Sequence, residues 1–134
     1  MTDDRIPADV AQLLRDHVQT YEELEMLLAI ARDPEREHSI ATLLVTLNLE
    51  ASAGAGVVEE LAKAGVVTIT RDAAGGRVRC DPGAAGVVAG LAEAYDTARV
   101  ELMSRMTQNA LERVRTSALR TFSSAFVLGK KRDG

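Results

Sequence analysis

Three arginines, Arg71, Arg77 and Arg79, flank a glycine-containing loop and are the side chains of this sequence best suited to bind an anion. A guanidinium group stays charged near neutral pH, and its fixed fork of N–H donors fits phosphate oxygens. Three such groups in one short stretch exceed what is needed to protect the edge of a sheet with charge. We therefore expect phosphate contacts here, with a solvated, charge-protected strand edge as the alternative.

The other reactive side chains form no recognisable catalytic or metal-binding pattern. His17 and His38 have no carboxylate or second histidine at metal-ligand spacing, so we expect no metal and no cofactor. No nucleophile–base pair, glycine-rich phosphate loop or pair of catalytic carboxylates stands out, which argues against an enzyme. Cys80 is the one cysteine and alternates with Arg79, so we expect it to point inward; a redox-sensing thiol is the alternative.

The arginines are positioned by a change from helical to alternating periodicity after Gly65. Apolar and polar residues alternate over residues 67–70 and again over 77–80, which is typical of two half-buried strands. The sequence Asp-Ala-Ala-Gly-Gly at 72–76 supplies a turn, with glycines where a positive φ is needed. These features predict a two-stranded ribbon that carries the three arginines.

Helices are expected before this ribbon. A short helix begins near residue 9, and Thr20 with Glu23 has the pattern of a capping box at the start of the next. Ser39 is expected to cap a further helix, and Asn48 tolerates the left-handed conformation of a tight turn between helices. The third helix, counted from the one at Thr20, is expected to start near Ser52, where a serine cap would leave a helix N-terminus suited to phosphate.

After the ribbon, residues 84–106 have the apolar spacing of a helix that packs along its length, with a break expected at 107–109. This helix is expected to form a dimer interface; a helix that covers the chain's own core is the alternative. The candidate dimer or partner residues, including two from the last segment, are Leu91, Tyr95, Leu102, Met106, Phe122 and Phe126.

The last segment, 111–132, combines an apolar face with Arg113, Arg115, Arg120 and a basic run at 130–132. A basic amphipathic arm of this kind can bind a membrane surface or the groove of a partner protein. The alternative, a helix that closes the core or exchanges between the copies of a dimer, is favoured because the aromatic content is only 3%.

Composition supports one domain, or one domain with an arm, in 134 residues. The apolar fraction of 46% is rich in Ala, Val and Leu, so small side chains must form the core, and dimerisation would add buried area. Residues 1–50 carry a net charge of −7, residues 51–81 are neutral, and residues 82–134 carry +3. No signal peptide or membrane-spanning apolar run is visible, so we expect a soluble cytoplasmic protein.

Together these positions resemble a bacterial winged helix-turn-helix module of the MarR-like regulators, or a related small winged-helix family with a helical C-terminal arm. The resemblance covers residues 20–82, a little under half the chain. The residues that carry it are the helix from Ser39, the turn Leu47-Asn48-Leu49, the helix end Leu61 to Gly65-Val66-Val67, and the wing Gly75-Gly76-Arg77-Val78.

The resemblance implies that the third helix enters the major groove of double-stranded DNA and that the wing reaches a neighbouring groove or phosphate. Carried over by position, the DNA-binding candidates are Ser52 and Lys63 on the helix, with the three wing arginines. The helix otherwise presents Ala, Gly, Glu59 and Glu60 where base recognition favours Arg, Lys, Asn or Gln. Binding dominated by wing and backbone contacts is therefore expected.

The sequence thus predicts a mainly α fold with a small β-hairpin: a winged helix-turn-helix domain at 1–82, followed by long C-terminal helices at 83–134. The predicted function is a non-enzymatic, homodimeric, DNA-binding transcriptional regulator. The alternative is a winged-helix adaptor that binds a protein partner, or a membrane surface, through its third helix or its basic C-terminal arm.

Overall fold

The computed structural model describes the backbone of residues 6–73 and 75–133, and the side chains of 6–73 and 75–123. The elements, in chain order, are α1 (Ala8–Asp16), α2 (Tyr21–Ala31), β1 (His38–Ser39), α3 (Ile40–Thr46), α4 (Ala51–Lys63), β2 (Val67–Asp72), β3 (Gly75–Cys80), a 3-10 turn (Pro82–Ala84), α5 (Ala85–Thr97) and α6 (Arg99–Asp133). The fold is mainly helical with a small antiparallel sheet, as the sequence predicts.

The helix starts predicted at Thr20 and Ser39 are confirmed by side-chain hydrogen bonds. Thr20 Oγ1 accepts from the backbone N–H of Glu23 at 3.2 Å, and Glu23 Oε1 accepts from the backbone N–H of Thr20 at 3.0 Å. Ser39 Oγ accepts from the backbone N–H of Thr42 at 3.3 Å. Each bond satisfies an N–H that the first turn of a helix leaves unpaired, and thereby fixes where α2 and α3 begin.

Two residues with positive φ lie where the chain turns, and one of them is the predicted Asn48. Asn48, between α3 and α4, has a φ of 56°, and the next backbone N–H, that of Leu49, donates to the Leu44 carbonyl at 2.8 Å. Gly65 has a φ of 78° directly after α4, so the chain leaves that helix and enters β2. The helix-turn-helix and the start of the ribbon therefore depend on two residues that tolerate positive φ.

The sheet has three strands in the order β1–β3–β2, all antiparallel, whereas the sequence predicted two. The additional strand is the pair His38–Ser39, which lies opposite Val78 and Arg77. Two residues are too few to show an alternating pattern, so only long-range pairing reveals this strand. In β2 and β3, Val67 lies opposite Cys80, so apolar side chains share the inner face.

One hydrophobic core joins the helices of the whole chain. α2 packs against α4 and α5, and α1 packs against α5 and α6. Val10, Leu91 and Leu102 belong to the same buried cluster, although the boundary expected at residue 82 would separate the first from the other two. The division into a domain at 1–82 and an arm at 83–134 stays a prediction.

The helix break expected at residues 107–109 is wrong. The chain breaks instead at Ala98, which has a φ of −141° and a ψ of 45°, and α6 then continues from Arg99 to Asp133. Thr107 is tolerated inside α6 because its Oγ1 donates to the Met103 carbonyl at 3.0 Å. The turn at Ala98, itself buried, sets the direction in which α6 leaves α5.

Within the described residues, no single helix has both the length and the apolar composition needed to cross a membrane. Taken together, α3 and α4 are long and apolar enough to cross a membrane by length and composition alone, and the angle between them is 119°.

Candidate nucleic-acid interface

The N-terminus of α4 is capped by Glu50, not by the serine that the sequence predicted. Glu50 Oε2 accepts a hydrogen bond from the backbone N–H of Ala53 at 2.9 Å, and α4 begins at Ala51, so Ser52 lies within its first turn. The backbone N–H of Ala53, followed by that of Ser52, holds the pKa of Glu50 below its usual value. The positive end of the helix dipole therefore already has a carboxylate, and the expected serine cap is wrong, whereas the phosphate contact expected at Ser52 stays a prediction.

The outward face of α4, defined here as Ser52, Gly56, Glu59 and Lys63, lies opposite the buried residues of the same helix. The buried residues of α4 are Gly54, Val58 and Leu61. Small side chains in the first half of the outward face leave the backbone open to close approach. Lys63 Nζ lies 3.4 Å from Glu60 Oε2, and both side chains are exposed. An exposed pair of this kind contributes about 0–1 kcal/mol, so Lys63 is able to exchange it for a phosphate.

The wing is joined to α4, near the hairpin turn, by an ion pair between two exposed side chains. Arg71 Nη2, at the far end of β2, donates to Glu59 Oε2 on the outward face of α4. This contact places the wing and α4 side by side on one surface. It also means that Arg71, expected to bind phosphate, has a carboxylate partner within its own chain.

The remaining two wing arginines differ in their surroundings. Arg77 Nη2 donates to Asp72 Oδ2 across the hairpin, and its Nε lies 4.0 Å from Glu37 Oε1. Arg79 is exposed and, among the side chains that the structure describes, has no hydrogen bond or ion pair. Arg79 is therefore the wing arginine whose charge is most open to an added phosphate group.

Several acidic residues of this surface were not predicted from the sequence to belong to it. Asp72 lies at the last position of β2, and the hairpin register that brings it near Arg77 follows from the turn. Glu37 reaches Arg77 only because β1 pairs with β3, which no local pattern indicates. Glu50 was not predicted to cap α4 because serine, present nearby, is among the preferred N-cap residues and glutamate is not.

The residues expected to form a dimer or partner interface are split between the core and the surface. Leu91 and Leu102 are fully buried and Met106 is 8% exposed, all within the chain's own core. Exposing one such side chain would cost about 1.5–3 kcal/mol, so these three would contact a partner only if they left the chain's own core. Within the single chain the helix around them covers the chain's own core, and the dimer interface expected on this helix stays a prediction.

The other three predicted partner residues have different surroundings. Tyr95 is half-buried, and Arg99 stacks on its ring at 4.2 Å, a contact within the chain. Phe122 is 69% exposed. Phe126 lies outside the residues whose side chains the structure describes.

An exposed row of large apolar side chains follows α6, and we call it the apolar face of α6. At about 100° per residue, Leu111 and Phe122 lie roughly opposite Leu102 and Met106, which pack on the core. A helix with one face on its own core and large apolar residues on the opposite face presents a surface suited to a partner. The apolar face of α6 comprises Val100, Leu111, Val114, Leu119 and Phe122, all of them exposed.

Cys80 is buried, and the two histidines lie apart from it in the sequence. Cys80 is 3% exposed, as the sequence predicts, and burial followed by the charge of Asp81 raises the pKa of its thiol. His38 Nε2 lies 3.3 Å from the Asp33 carbonyl. Over the described part of the chain, no three His, Cys, Asp or Glu side chains are grouped so as to hold a metal ion.

No protein-family model matches this chain, and no curated protein matches it in sequence. Solved structures match its fold over most of its length. A MepR variant from S. aureus, bound to an oligodeoxyribonucleotide, aligns with a TM-score of 0.54 and 13% identity, over 87% of this chain and 86% of that chain.

Two further structures give similar alignments. A ZitR variant from Lactococcus lactis has a TM-score of 0.52 and 13% identity, over 83% of this chain and 77% of that chain. A transcriptional regulator from Thermotoga maritima has a TM-score of 0.50 and 20% identity, over 94% and 86%. At these identities the likeness establishes the fold: the predicted winged helix-turn-helix, and its resemblance in fold to MarR-like regulators, are confirmed.

Proposed function

We propose that this winged-helix chain is a DNA-binding transcriptional regulator that contacts duplex DNA mainly through its wing and its backbone. The observation that carries the proposal is the Arg71–Glu59 pair, which joins the wing, near its hairpin turn, to the outward face of α4. Winged-helix proteins use these two elements together, one in a groove and the other against a neighbouring phosphate. Solved structures of the same fold support this class of function, since one is described as a transcriptional regulator and another is bound to an oligodeoxyribonucleotide.

Wing and backbone contacts dominate the proposed interface because α4 carries few long donors. Its outward face offers Lys63 as the one cation, whereas the wing offers Arg71, Arg77 and Arg79. Phosphate contacts fix the position of a protein on the duplex and give most of its salt-dependent affinity. In this proposal the protein acts without catalysis and in the cytoplasm.

The proposed regulator is a homodimer joined through the apolar face of α6. That face lies opposite the core-facing residues of the same helix, and a second copy offers an identical apolar face. Self-complementary contacts of this kind build twofold dimers, which place two wings on one duplex. The adaptor hypothesis instead places a foreign protein or a membrane surface on this face. Measuring the oligomeric state of the protein distinguishes the homodimer from the adaptor.

Fluorescence anisotropy with a labelled random-sequence duplex tests the proposal. Binding should weaken as salt rises, and the logarithm of the association constant should fall linearly with the logarithm of the salt concentration. Arg79→Ala should reduce that slope by about 1 for each wing that contacts the duplex. Arg15→Ala, an exposed arginine on α1, is the matched control and should leave the slope unchanged. Absence of duplex binding at low salt would refute the proposal that this chain is a DNA-binding regulator.

A further inference from the structure

We propose that Glu59 reads a base in the major groove by accepting a hydrogen bond from the exocyclic amine of a cytosine, while Arg71 holds its carboxylate in place. This inference rests on the proposed function and adds the base that the interface selects and the side chain that selects it. Glu59 is then a specificity residue of the interface. Arg71 is a positioning residue.

Glu59 is placed to reach into a groove. It lies on the outward face of α4 and its side chain is 46% exposed. Its neighbours toward the start of the helix, Ser52, Ala55 and Gly56, are small and exposed, so they do not hold the helix away from the base edges. A long side chain that follows small ones on the same face is the first to meet a base when the helix approaches closely.

The chemistry of a carboxylate selects among the four bases. An ionised carboxylate only accepts hydrogen bonds, and in the major groove only cytosine N4 and adenine N6 donate them. Guanine and thymine present acceptors to the same region and repel the negative charge. Adenine also presents its N7 acceptor beside the N6 donor, so cytosine is the base that a carboxylate prefers.

The contact with Arg71 makes a carboxylate tolerable so close to DNA. The guanidinium binds Oε2 of Glu59, which leaves Oε1 as an acceptor and offsets the negative charge that phosphates would repel. In solution such an exposed pair is weak. When docking excludes water, the attraction between its charges increases, so the carboxylate becomes better oriented in the complex than in the free protein.

Selection from a random-sequence duplex pool tests this assignment, with base preference as the readout. The wild-type protein should enrich sites with a fixed cytosine in each half-site, and changing that base pair should weaken binding about 5- to 150-fold. Glu59→Ala should lose this preference while it still binds duplex. Glu59→Gln should shift the preference toward adenine, whose N6 and N7 suit an amide.

Two further variants separate the contact from a general charge effect. Glu60→Ala removes the same charge from the adjacent exposed position and should keep the cytosine preference. Arg71→Ala should weaken the cytosine preference more than it weakens binding to the pool, and Arg71→Lys should restore part of it. Reduced binding with an unchanged preference in Arg71→Ala would mean that Arg71 contacts phosphate and does not position Glu59.

Failure of this inference is distinguishable from failure of the proposed function. Two results would show that Glu59 does not read a base although the wild type binds duplex: Glu59→Ala enriches the same sites as the wild type, or the wild type enriches no site. Neither result contradicts the proposed function as a DNA-binding regulator. If the wild type binds no duplex at low salt, the proposed function is itself wrong.

Discussion

Gly54 of α4 lies directly against the side chain of Leu44 in α3, so closely that a Cβ atom at position 54 would overlap that side chain. Both residues are buried between the two helices of the helix-turn-helix. The absence of a side chain at Gly54 therefore lets α4 approach α3 closely, and this contact helps to set how the outward face of α4 is presented.

Gly54→Ala tests this close packing. Alanine favours a helix by about 1 kcal/mol over glycine, yet here the overlap with Leu44 should reverse the sign and cost about 1–3 kcal/mol of the free energy of unfolding. Gly56→Ala is the matched control, because a Cβ there meets no atom within 4 Å, and it should stabilise the protein by up to about 1 kcal/mol. Urea denaturation of both variants measures the difference; equal stabilisation would mean that the two helices do not pack this closely.

Glu50 should stabilise the start of α4 and oppose DNA binding. Its pKa is lowered in the folded state, so its contribution to stability is present above the unfolded pKa and is lost as pH falls through the folded pKa. Glu50→Gln should therefore unfold more easily than wild type at neutral pH, and the two should converge in acid, below the ordinary carboxyl range of about 4. Urea denaturation across pH measures both effects.

Glu50→Ser separates the cap from its charge. Serine is a favourable neutral cap, so this variant should keep most of the stability and bind random duplex more tightly than wild type, since one negative charge leaves the groove side of α4. Glu60→Gln, which has no cap to lose, controls for removal of a nearby charge. Unchanged duplex affinity in Glu50→Ser would place the start of α4 away from the phosphates.

Phe122→Asp should dissociate the proposed dimer without unfolding the protomer. The side chain is 69% exposed, so the protomer's free energy of unfolding should change by no more than about 0.5 kcal/mol. An aromatic residue buried at the centre of an interface contributes about 2 kcal/mol or more, so the dimer dissociation constant should rise roughly 30-fold. Analytical ultracentrifugation measures it.

Thr116→Asp is the control for that experiment, because Thr116 is exposed on the side of α6 away from Phe122. It adds the same charge to the same helix and should leave the dimer intact. A wild-type protein that is monomeric at all concentrations would contradict the homodimer and leave the apolar face of α6 to another partner.

Cys80 should be protected from thiol reagents until the protein unfolds. Burial raises its pKa, so the thiol stays protonated in the fold and contributes stability that is lost as pH rises through the folded pKa. A disulfide reagent should label native protein far more slowly than protein in denaturant, and the loss of stability at alkaline pH should be smaller in Cys80→Ala. Rapid labelling of the native protein would support the redox-sensing alternative.

The parts of the fold that local chemistry specifies were predictable from the sequence. The capping box at Thr20 and Glu23, the left-handed Asn48 and the stop at Gly65 are each set by a few adjacent residues. The expected break at 107–109 is absent because the low helix propensity of threonine is offset at Thr107, whose hydroxyl donates to a carbonyl one turn earlier.

In the candidate site, too, the features set by adjacent residues were predictable, whereas the contacts between distant residues were not. The sequence by itself determined that a hairpin presents Arg71, Arg77 and Arg79, because alternation and turn residues are local. Only the tertiary structure decided that Arg71 meets Glu59 and that Arg77 is close to Glu37, since these contacts join residues distant in sequence. It likewise decided which apolar residues of the C-terminal helices lie inside: periodicity identifies a face, but packing determines whether the chain's own core or a partner covers it.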